Sequence, residues 1–423
     1  MATGAALLVQ ALFWGQVAAA DQALPVLAPY QMVRSLQIVQ DRIADGDHAA
    51  LPMQKKMIEM IDKRLLSATP EEFADRRNFE ALLIYGMSGG NPRTLETVTA
   101  GLELDPHDAA LTAGLIAYFK SNPGKAAAQL SSLDPSKEQP QIGAFLALVK
   151  GSVIALQRPE KALPLLDLAR LYAPGTLVEE AALRRSISIA TSIGDRERFL
   201  RASEQYSRRF LRSPYASHFA DGFINGVVAL REGLDLHVVE EIVSAMNAEQ
   251  QLAIYLRIAR RSAISGYTAL ADFASARARL ASGSADGPED PRAAFYNALA
   301  SVTTQPIEEA ARRLDAIDRN TLSARDARLL DAAREIVRSV TVSPLTFPET
   351  QTGEAPAGTE NPAPAMGTGT AEDRADPSPA PHEIAAAGQP GAAADAPAGV
   401  ESALPAAGAA AAPQPAPARA AQN

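Results

Sequence analysis

The stretch that says most about the fold is residues 159–195, which read PEKALPLLDLARLYAPGTLVEEAALRRSISIATSIGD. Apolar residues recur at helical spacing in two runs, and a Pro-Gly pair at 174–175 separates them. Proline at position 159 suits the first turn of a helix, where the missing N–H costs little. Pro164 lies beyond that turn, so we expect a kink or a later helix start there. The stretch predicts a helix-turn-helix unit.

The same rhythm continues through most of residues 30–340, where helical runs alternate with short breaks rich in Gly, Pro, Asp and Asn. Residues 141–156 are a clear case, because their apolar side chains recur three and four positions apart. No run predicts a strand, and the breaks separate about seventeen helices. Units of about 35 residues are typical of tetratricopeptide-like (TPR-like) repeats. The sequence therefore predicts an all-α, TPR-like helical-repeat solenoid with a long groove suited to binding proteins.

Composition excludes several kinds of site. The chain has no cysteine, which rules out disulfides, thiolate metal sites and cysteine nucleophiles. Apolar residues make up 47% of the chain but aromatic residues only 5%, a balance that favours helices over sheets. No glycine-rich phosphate-binding motif precedes a predicted helix, and we expect no cofactor.

The C-terminal tail, residues 341–423, differs from the rest of the chain. It is rich in Pro and Ala and contains two Arg, no Lys and nine acidic residues, so it carries most of the net charge of −9. With few large apolar side chains, it cannot bury enough surface to offset the entropy of ordering. We predict a disordered, acidic tail after a helical domain at 21–340. The nearly neutral helical domain has no basic patch for nucleic acid.

Residues 5–20, AALLVQALFWGQVAAA, form an apolar run that ends in small residues before the polar step at Asp21. This pattern is typical of a signal peptide, and we place the cleavage site after Ala20. The alternative is a membrane anchor, but a run of about 16 residues is shorter than the roughly 20 that a spanning helix needs. We therefore expect an exported protein with no stable membrane span.

Candidate catalytic groups are sparse. Residues 86–90, GMSGG, match the G-x-S-x-G pattern of hydrolases, which requires a strand before the serine. Here a helical run precedes it, so we predict an interhelical loop.

His237 shares a helix face with Glu240 and Glu241, but a third metal ligand is missing, and we predict solvated surface. Acidic pairs sit near predicted helix starts, where the helix dipole favours them; these are Glu71-Glu72, Glu179-Glu180, Glu240-Glu241 and Glu308-Glu309. We expect no enzymatic activity.

Methionines are concentrated near the amino terminus. Met53, Met57 and Met60 form one helical stripe. Core packing is the interpretation that we favour, and an adaptable binding surface is the alternative.

Residues 28–62, APYQMVRSLQIVQDRIADGDHAALPMQKKMIEMID, resemble the start of the mature chain in the MotC family of periplasmic motility proteins. The resemblance covers this segment well, and the order of helical body and Pro/Ala-rich tail agrees with it. It implies a protein that is required for flagellar rotation, binds the periplasmic part of the stator protein MotB and modulates how proton flux is coupled to torque. The family supplies no catalytic residues.

The same resemblance suggests candidate partner contacts within the segment. They are Arg34, Gln37, Gln40, Asp41, His48, Lys55 and Lys56, to which the methionine stripe adds Met53 and Met57. The alternative for the polar positions is that they are solvated or cap helices. Two other functions stay open: a generic periplasmic scaffold for envelope assembly, and a cell-wall glycan enzyme that depends on one Glu.

Overall fold

The computed structural model describes residues 27–283, 290–302 and 305–341. Within these ranges it contains seventeen α-helices and no strand, as the sequence predicts. The predicted signal peptide and the tail beyond residue 341 lie outside the described residues. The helices are α1 (Pro29–Ala44), α2 (Leu51–Leu66), α3 (Arg76–Met87), α4 (Pro92–Thr99), α5 (Pro106–Phe119), α6 (Pro123–Leu130), α7 (Pro140–Ile154), α8 (Pro159–Tyr172), α9 (Leu177–Ile193), α10 (Arg196–Arg209), α11 (Ala216–Ala229), α12 (Leu236–Ser244), α13 (Ala248–Ile264), α14 (Thr268–Ala281), α15 (Pro291–Ser301), α16 (Ile307–Asp315) and α17 (Ala324–Thr341).

Local chemistry explains where many helices begin. The side chains of Asn91, Asp105 and Asp195 accept hydrogen bonds from backbone N–H groups in the first turns of α4, α5 and α10. Such caps satisfy donors that have no partner within the helix. Proline occupies the first position of α4, α5, α6, α7 and α8, where its lack of an N–H costs nothing.

The helix pair predicted from residues 159–195 is confirmed as α8 and α9. Helix α8 begins at Pro159 and continues through Pro164, so the prediction of a later start was wrong. Pro164 has no N–H, so the carbonyl oxygen of Glu160, four residues earlier, lacks its usual helical hydrogen bond. Both residues are exposed, and water can therefore bind this carbonyl oxygen. Helix α9 ends at Gly194, whose φ of 77° is the left-handed conformation that glycine adopts at low cost.

Helices that follow one another in the chain pack against each other, and the buried side chains form two large cores. The N-terminal core includes Leu36, Leu82 and Leu146, and the C-terminal core includes Phe199 and Phe223. Helix α9 contributes side chains to both cores. Val178 and Ala182 belong to the N-terminal core, whereas Leu183 and Ile187 belong to the C-terminal core. Helix α9 thus joins the two halves.

Helix α1 also packs at long range, against α9 as well as its neighbours α2 and α3. The turn after α1 lies on the segment that follows α10, where His48 Nε2 is 2.7 Å from the carbonyl oxygen of Arg212. Gly46, with φ of 96°, permits this approach, since a Cβ there would lie 2.5 Å from Cβ of Arg212. The amino-terminal helix is therefore held against the middle of the chain.

Glycine also permits a close contact between α10 and α11. A Cβ on Gly226 would lie 2.1 Å from the ring of Phe199. We expect Gly226→Ala to lower the free energy of unfolding by about 1–3 kcal/mol, because the buried ring must move. Gly222→Ala, one turn earlier, is the control: the nearest atom is 3.8 Å away, and removing a helical glycine is expected to stabilise by about 0.5–1 kcal/mol. Urea denaturation measures both, and equal effects of the two variants would contradict this packing.

Candidate functional site

Four of the predicted contact residues line one surface groove. Arg34, Gln37, Gln40 and Asp41 lie on α1, at positions that recur along one face of the helix. The opposite wall comes from α7 and from the α8–α9 connection with the start of α9. The groove encloses about 410 Å³.

The floor of the groove is apolar. Ile38 of α1 is 58% exposed, an unusual environment for a large aliphatic side chain. Phe145 and Leu148 of α7 and Leu177 of α9 line the groove with it. Apolar floors with a few polar groups at the edge are typical of sites that bind a ligand or a partner side chain.

The rim of the groove carries opposite charges. Arg34 and Asp41 are both exposed and lie two helical turns apart. Although Asp41 as a whole is exposed, partial burial of its carboxyl group and the nearby charge of Asp45 raise the pKa of this group above its ordinary value of 3.8. A partner segment lying along α1 would therefore meet the guanidinium of Arg34 near one end of the groove and the carboxyl of Asp41 near the other.

Two polar groups lie deeper in the wall. Gln40 is buried, and its side-chain N–H₂ donates to the carbonyl oxygen of Ser88 at 3.3 Å. The hydroxyl oxygen of Ser88 is also buried and has no hydrogen-bond partner among the described residues. Gln40 therefore serves chiefly to join α1 to the end of α3, rather than to contact solvent.

The remaining predicted contacts lie outside the groove. His48 contacts Arg212, as described above. Lys55 and Lys56 are exposed on α2, where Lys56 Nζ is 3.4 Å from Glu59. The structure thus separates the nine candidates into a groove set on α1 and residues on the following turn and α2.

The methionine stripe is only partly a core feature. Met57 packs against the buried clusters, but Met53 and Met60 are 50% and 49% exposed. The interpretation of the whole stripe as core was therefore wrong for these two residues. Helical spacing placed the three on one face, whereas the helices that pack on α2, which are α1, α3 and α4, leave Met53 and Met60 exposed.

The serine motif has a structural explanation. It spans the end of α3 and the following loop, as predicted. The loop closes over Tyr85, whose hydroxyl donates to Asp62 at 2.5 Å and accepts from the N–H of Asn91 at 3.0 Å. A Cβ on Gly90 would lie 2.5 Å from the Tyr85 ring, so glycine is required there. The pattern thus reflects packing around a tyrosine.

No group of three potential metal ligands occurs among the described residues. His237 Nδ1 lies 3.5 Å from Glu241, with both side chains exposed, whereas Glu240 pairs with Arg277 at 2.7 Å. The predicted solvated surface is confirmed for this pair.

The groove residues on α7 and α9 were missed by the sequence reasoning. Phe145 was recognised as part of the apolar face of residues 141–156, and Leu177 as part of α9. Periodicity shows that a face is apolar but does not show which helix covers it or leaves it open. One signal was available in the sequence. Ile142, Leu146 and Val149, which are buried, already form an apolar face on this helix, and Phe145 makes that face wider.

Among the described helices, none combines the length and the hydrophobicity that a transmembrane helix requires. No solved structure matches the chain. A family model described as MotC, chemotaxis protein MotC, matches residues 1–415. The chain is also similar to chemotaxis protein MotC of Rhizobium meliloti (strain 1021), with 41% identity over 339 residues that cover 80% of this chain and 76% of the relative. With almost its whole length matched by the family model and two fifths of the aligned residues identical to this relative, the chain belongs to the MotC family of chemotaxis proteins.

Proposed function

We propose that this protein acts in the periplasm, is required for flagellar rotation, and binds the periplasmic part of the stator protein MotB through the groove beside α1. Binding there modulates how proton flux is coupled to torque. Membership of the MotC family supports the motility role. The observation that carries the choice of site is the exposed Ile38 on an apolar floor, between Arg34 and Asp41.

The groove has the properties of a protein-docking site. Its volume of about 410 Å³ accommodates a few side chains, and its floor presents Ile38, Phe145 and Leu177 for apolar contact. Side chains buried at the centre of an interface supply most of the binding energy, and a polar rim orients the partner. We infer that MotB places an apolar segment in the groove, with polar residues at the two charged ends.

The groove is held in place by the surrounding fold. Helix α1 packs on α2, α3 and α9, and the contact between His48 and Arg212 closes the turn behind it. We propose that residues 21–340 form a TPR-like solenoid, which the packing of successive helices supports. We further propose a signal peptide at 1–20 and an acidic spacer at 341–423, as the composition of both segments indicates.

We expect Ile38→Asp to weaken binding to the periplasmic part of MotB at least about tenfold, because the substitution places a charge on the apolar floor. Cells that carry the variant in place of the natural protein are expected to retain filaments but swim poorly. Binding is measured by titrating the tagged chain with purified MotB periplasmic region, and swimming by speed in liquid medium.

Ile336→Asp is the matched control. Ile336 lies on α17 and is 59% exposed, so the substitution has the same chemistry and exposure as Ile38→Asp but is far from the groove in sequence. It should bind and swim like the natural protein. Equal binding by both variants would show that MotB docks elsewhere. Recovery of envelope-assembly proteins instead of MotB from periplasmic extract would favour a general scaffold.

A further inference from the structure

A second recess, the arginine pocket, lies between α8, α9 and α10 and has a volume of about 380 Å³. Its walls come from Asp167, Arg170 and Leu171 on α8 and from Arg198 and Arg201 on α10, and Ser186 of α9 lies between them. Other residues of α9, including Val178, line the groove beside α1. The two sites are thus distinct surfaces that share one helix.

Three arginines line the arginine pocket: Arg170, Arg198 and Arg201. Two carboxylates, Asp167 and Glu179, line it with them, and outside the wall Arg201 pairs with Glu197 at 2.6 Å while Arg198 lies 3.8 Å from Asp195. Asp167 is shared between Arg170 at 3.0 Å and Arg198 at 2.6 Å.

Glu179 is already engaged elsewhere. Its carboxylate accepts hydrogen bonds from Arg209 and from the N–H of Gly175, each at 2.6 Å. Arg209 is not part of the pocket wall. Because each guanidinium carries several N–H donors, Arg198 and Arg201 keep donors beyond those that Asp167, Asp195 and Glu197 occupy.

Two groups at the pocket are buried without a protein partner. The Nε atom of Arg170 and the hydroxyl oxygen of Ser186 make no hydrogen bond to any described residue. Ser186 itself is only 1% exposed. A buried guanidinium N–H that lacks an acceptor costs free energy, so the protein beneath the pocket surface is not fully satisfied by its own polar groups.

One wall of the pocket is aliphatic. Leu171 is 72% exposed although it lies beside three arginines. An inorganic anion would make no use of this side chain, whereas a ligand with a carbon skeleton would cover it. The combination of arginine donors with an aliphatic wall is suited to an organic acid.

We propose that the arginine pocket binds an organic carboxylate, either a small free acid or an acidic side chain presented by another protein. The carboxylate oxygens accept from the remaining donors of Arg198 and Arg201 at the mouth, and the carbon chain covers Leu171. A planar carboxylate matches the fork of a guanidinium, which favours this class over other anions. This proposal is independent of the MotB site.

Isothermal titration of the full mature chain tests the proposal with three probes at constant ionic strength: succinate, a capped peptide that contains one Leu and one Glu, and inorganic phosphate. We expect saturable binding of succinate, of the peptide, or of both. Arg201→Gln should raise the Kd at least about tenfold, because it removes a charge-assisted donor.

Arg208→Gln is the matched control. Arg208 lies on the same helix, is exposed, and pairs with Glu204 four residues earlier, just as Arg201 pairs with Glu197. It does not line the pocket. Succinate binding alone identifies a free acid as the ligand, and peptide binding alone identifies an acidic side chain. Equal Kd values for the two variants, binding of phosphate only, or no saturable binding of any probe would overturn the proposal.

Discussion

Replacing Glu180 by alanine is expected to lower the free energy of unfolding by about 3–5 kcal/mol, because it removes one partner of a buried ion pair. Glu180 is 1% exposed on α9. Its carboxylate accepts from Nε and Nη2 of Arg184 at 2.9 and 3.2 Å and from the hydroxyl of Tyr206 at 2.7 Å. Alanine would leave the buried guanidinium without this neutralising charge.

The surroundings of Glu180 explain the large effect. Arg184 is itself nearly buried and lies over the ring of Tyr215, 5.3 Å from its centroid. Burial and the charge of Glu180 raise the pKa of Tyr206, so its hydroxyl stays protonated and donates to the carboxylate. Tyr206 also stacks on Phe219, with ring centroids 4.1 Å apart. The carboxylate therefore joins α9 and α10 at the edge of the C-terminal core.

Urea denaturation of the mature chain measures this effect, with the free energy taken from linear extrapolation. The control is Glu335→Ala on α17, where both Glu335 and its partner Arg338 are exposed. An exposed pair of this kind contributes about 0–1 kcal/mol. A loss of less than about 1 kcal/mol in Glu180→Ala would show that water or rearrangement compensates for the missing carboxylate.

Replacing Asp326 by asparagine is expected to lower the free energy of unfolding at neutral pH by about 1–3 kcal/mol, and this difference from the natural protein is expected to shrink in acid. Asp326 is buried at the start of α17. It accepts from Arg260 of α13 at 2.9 Å, from the hydroxyl of Tyr296 of α15 at 3.0 Å and from the hydroxyl of Ser323 at 2.9 Å. One carboxylate thus joins three helices.

The pH dependence follows from the direction of the pKa shift. Burial opposes ionisation of Asp326, but the hydrogen bonds from Arg260, Ser323 and Tyr296 outweigh it and lower the pKa below 3.8. A lowered pKa in the folded state means that the carboxylate stabilises the fold above pH 3.8. This contribution is lost as the pH falls through the folded-state pKa, because both states are then protonated.

Denaturation of both proteins at a series of pH values from 7 to about 3 tests the prediction. The two curves of stability against pH are expected to approach each other as the pH falls below 3.8. Asp315→Asn on α16 is the control at neutral pH: Asp315 is exposed, lies 3.4 Å from Arg334, and should have little effect. A constant difference between Asp326→Asn and the natural protein down to pH 3 would show that the variant loses packing rather than charge.

Both buried carboxylates show what sequence reasoning missed. Glu180 was explained by its place near the start of a helix, where the dipole favours acids. That explanation is local, and the spacing of Glu180 and Arg184 would equally suit an exposed pair. Burial comes from Tyr206 and Tyr215, which are distant in sequence and close only after α9, α10 and the following segment have packed.

The candidate site shows the same division. The resemblance of residues 28–62 led to Arg34, Gln37 and Asp41, which the structure places together on one groove. It gave no indication that Gln40 is buried or that His48 contacts Arg212. Nor did it include Phe145 and Leu177, because these belong to helices that meet α1 only in the folded chain.

The sequence by itself determined the all-helical class, the approximate number of helices, the α8–α9 pair and the family. Helix periodicity, caps and prolines act within a few residues, so they can be read directly from neighbouring letters. Only the tertiary structure decided which helix faces stay open, which charges are buried, and where the groove and the arginine pocket lie. These features depend on contacts such as α1 with α9, and such contacts form between residues far apart in the chain, where local spacing carries no information.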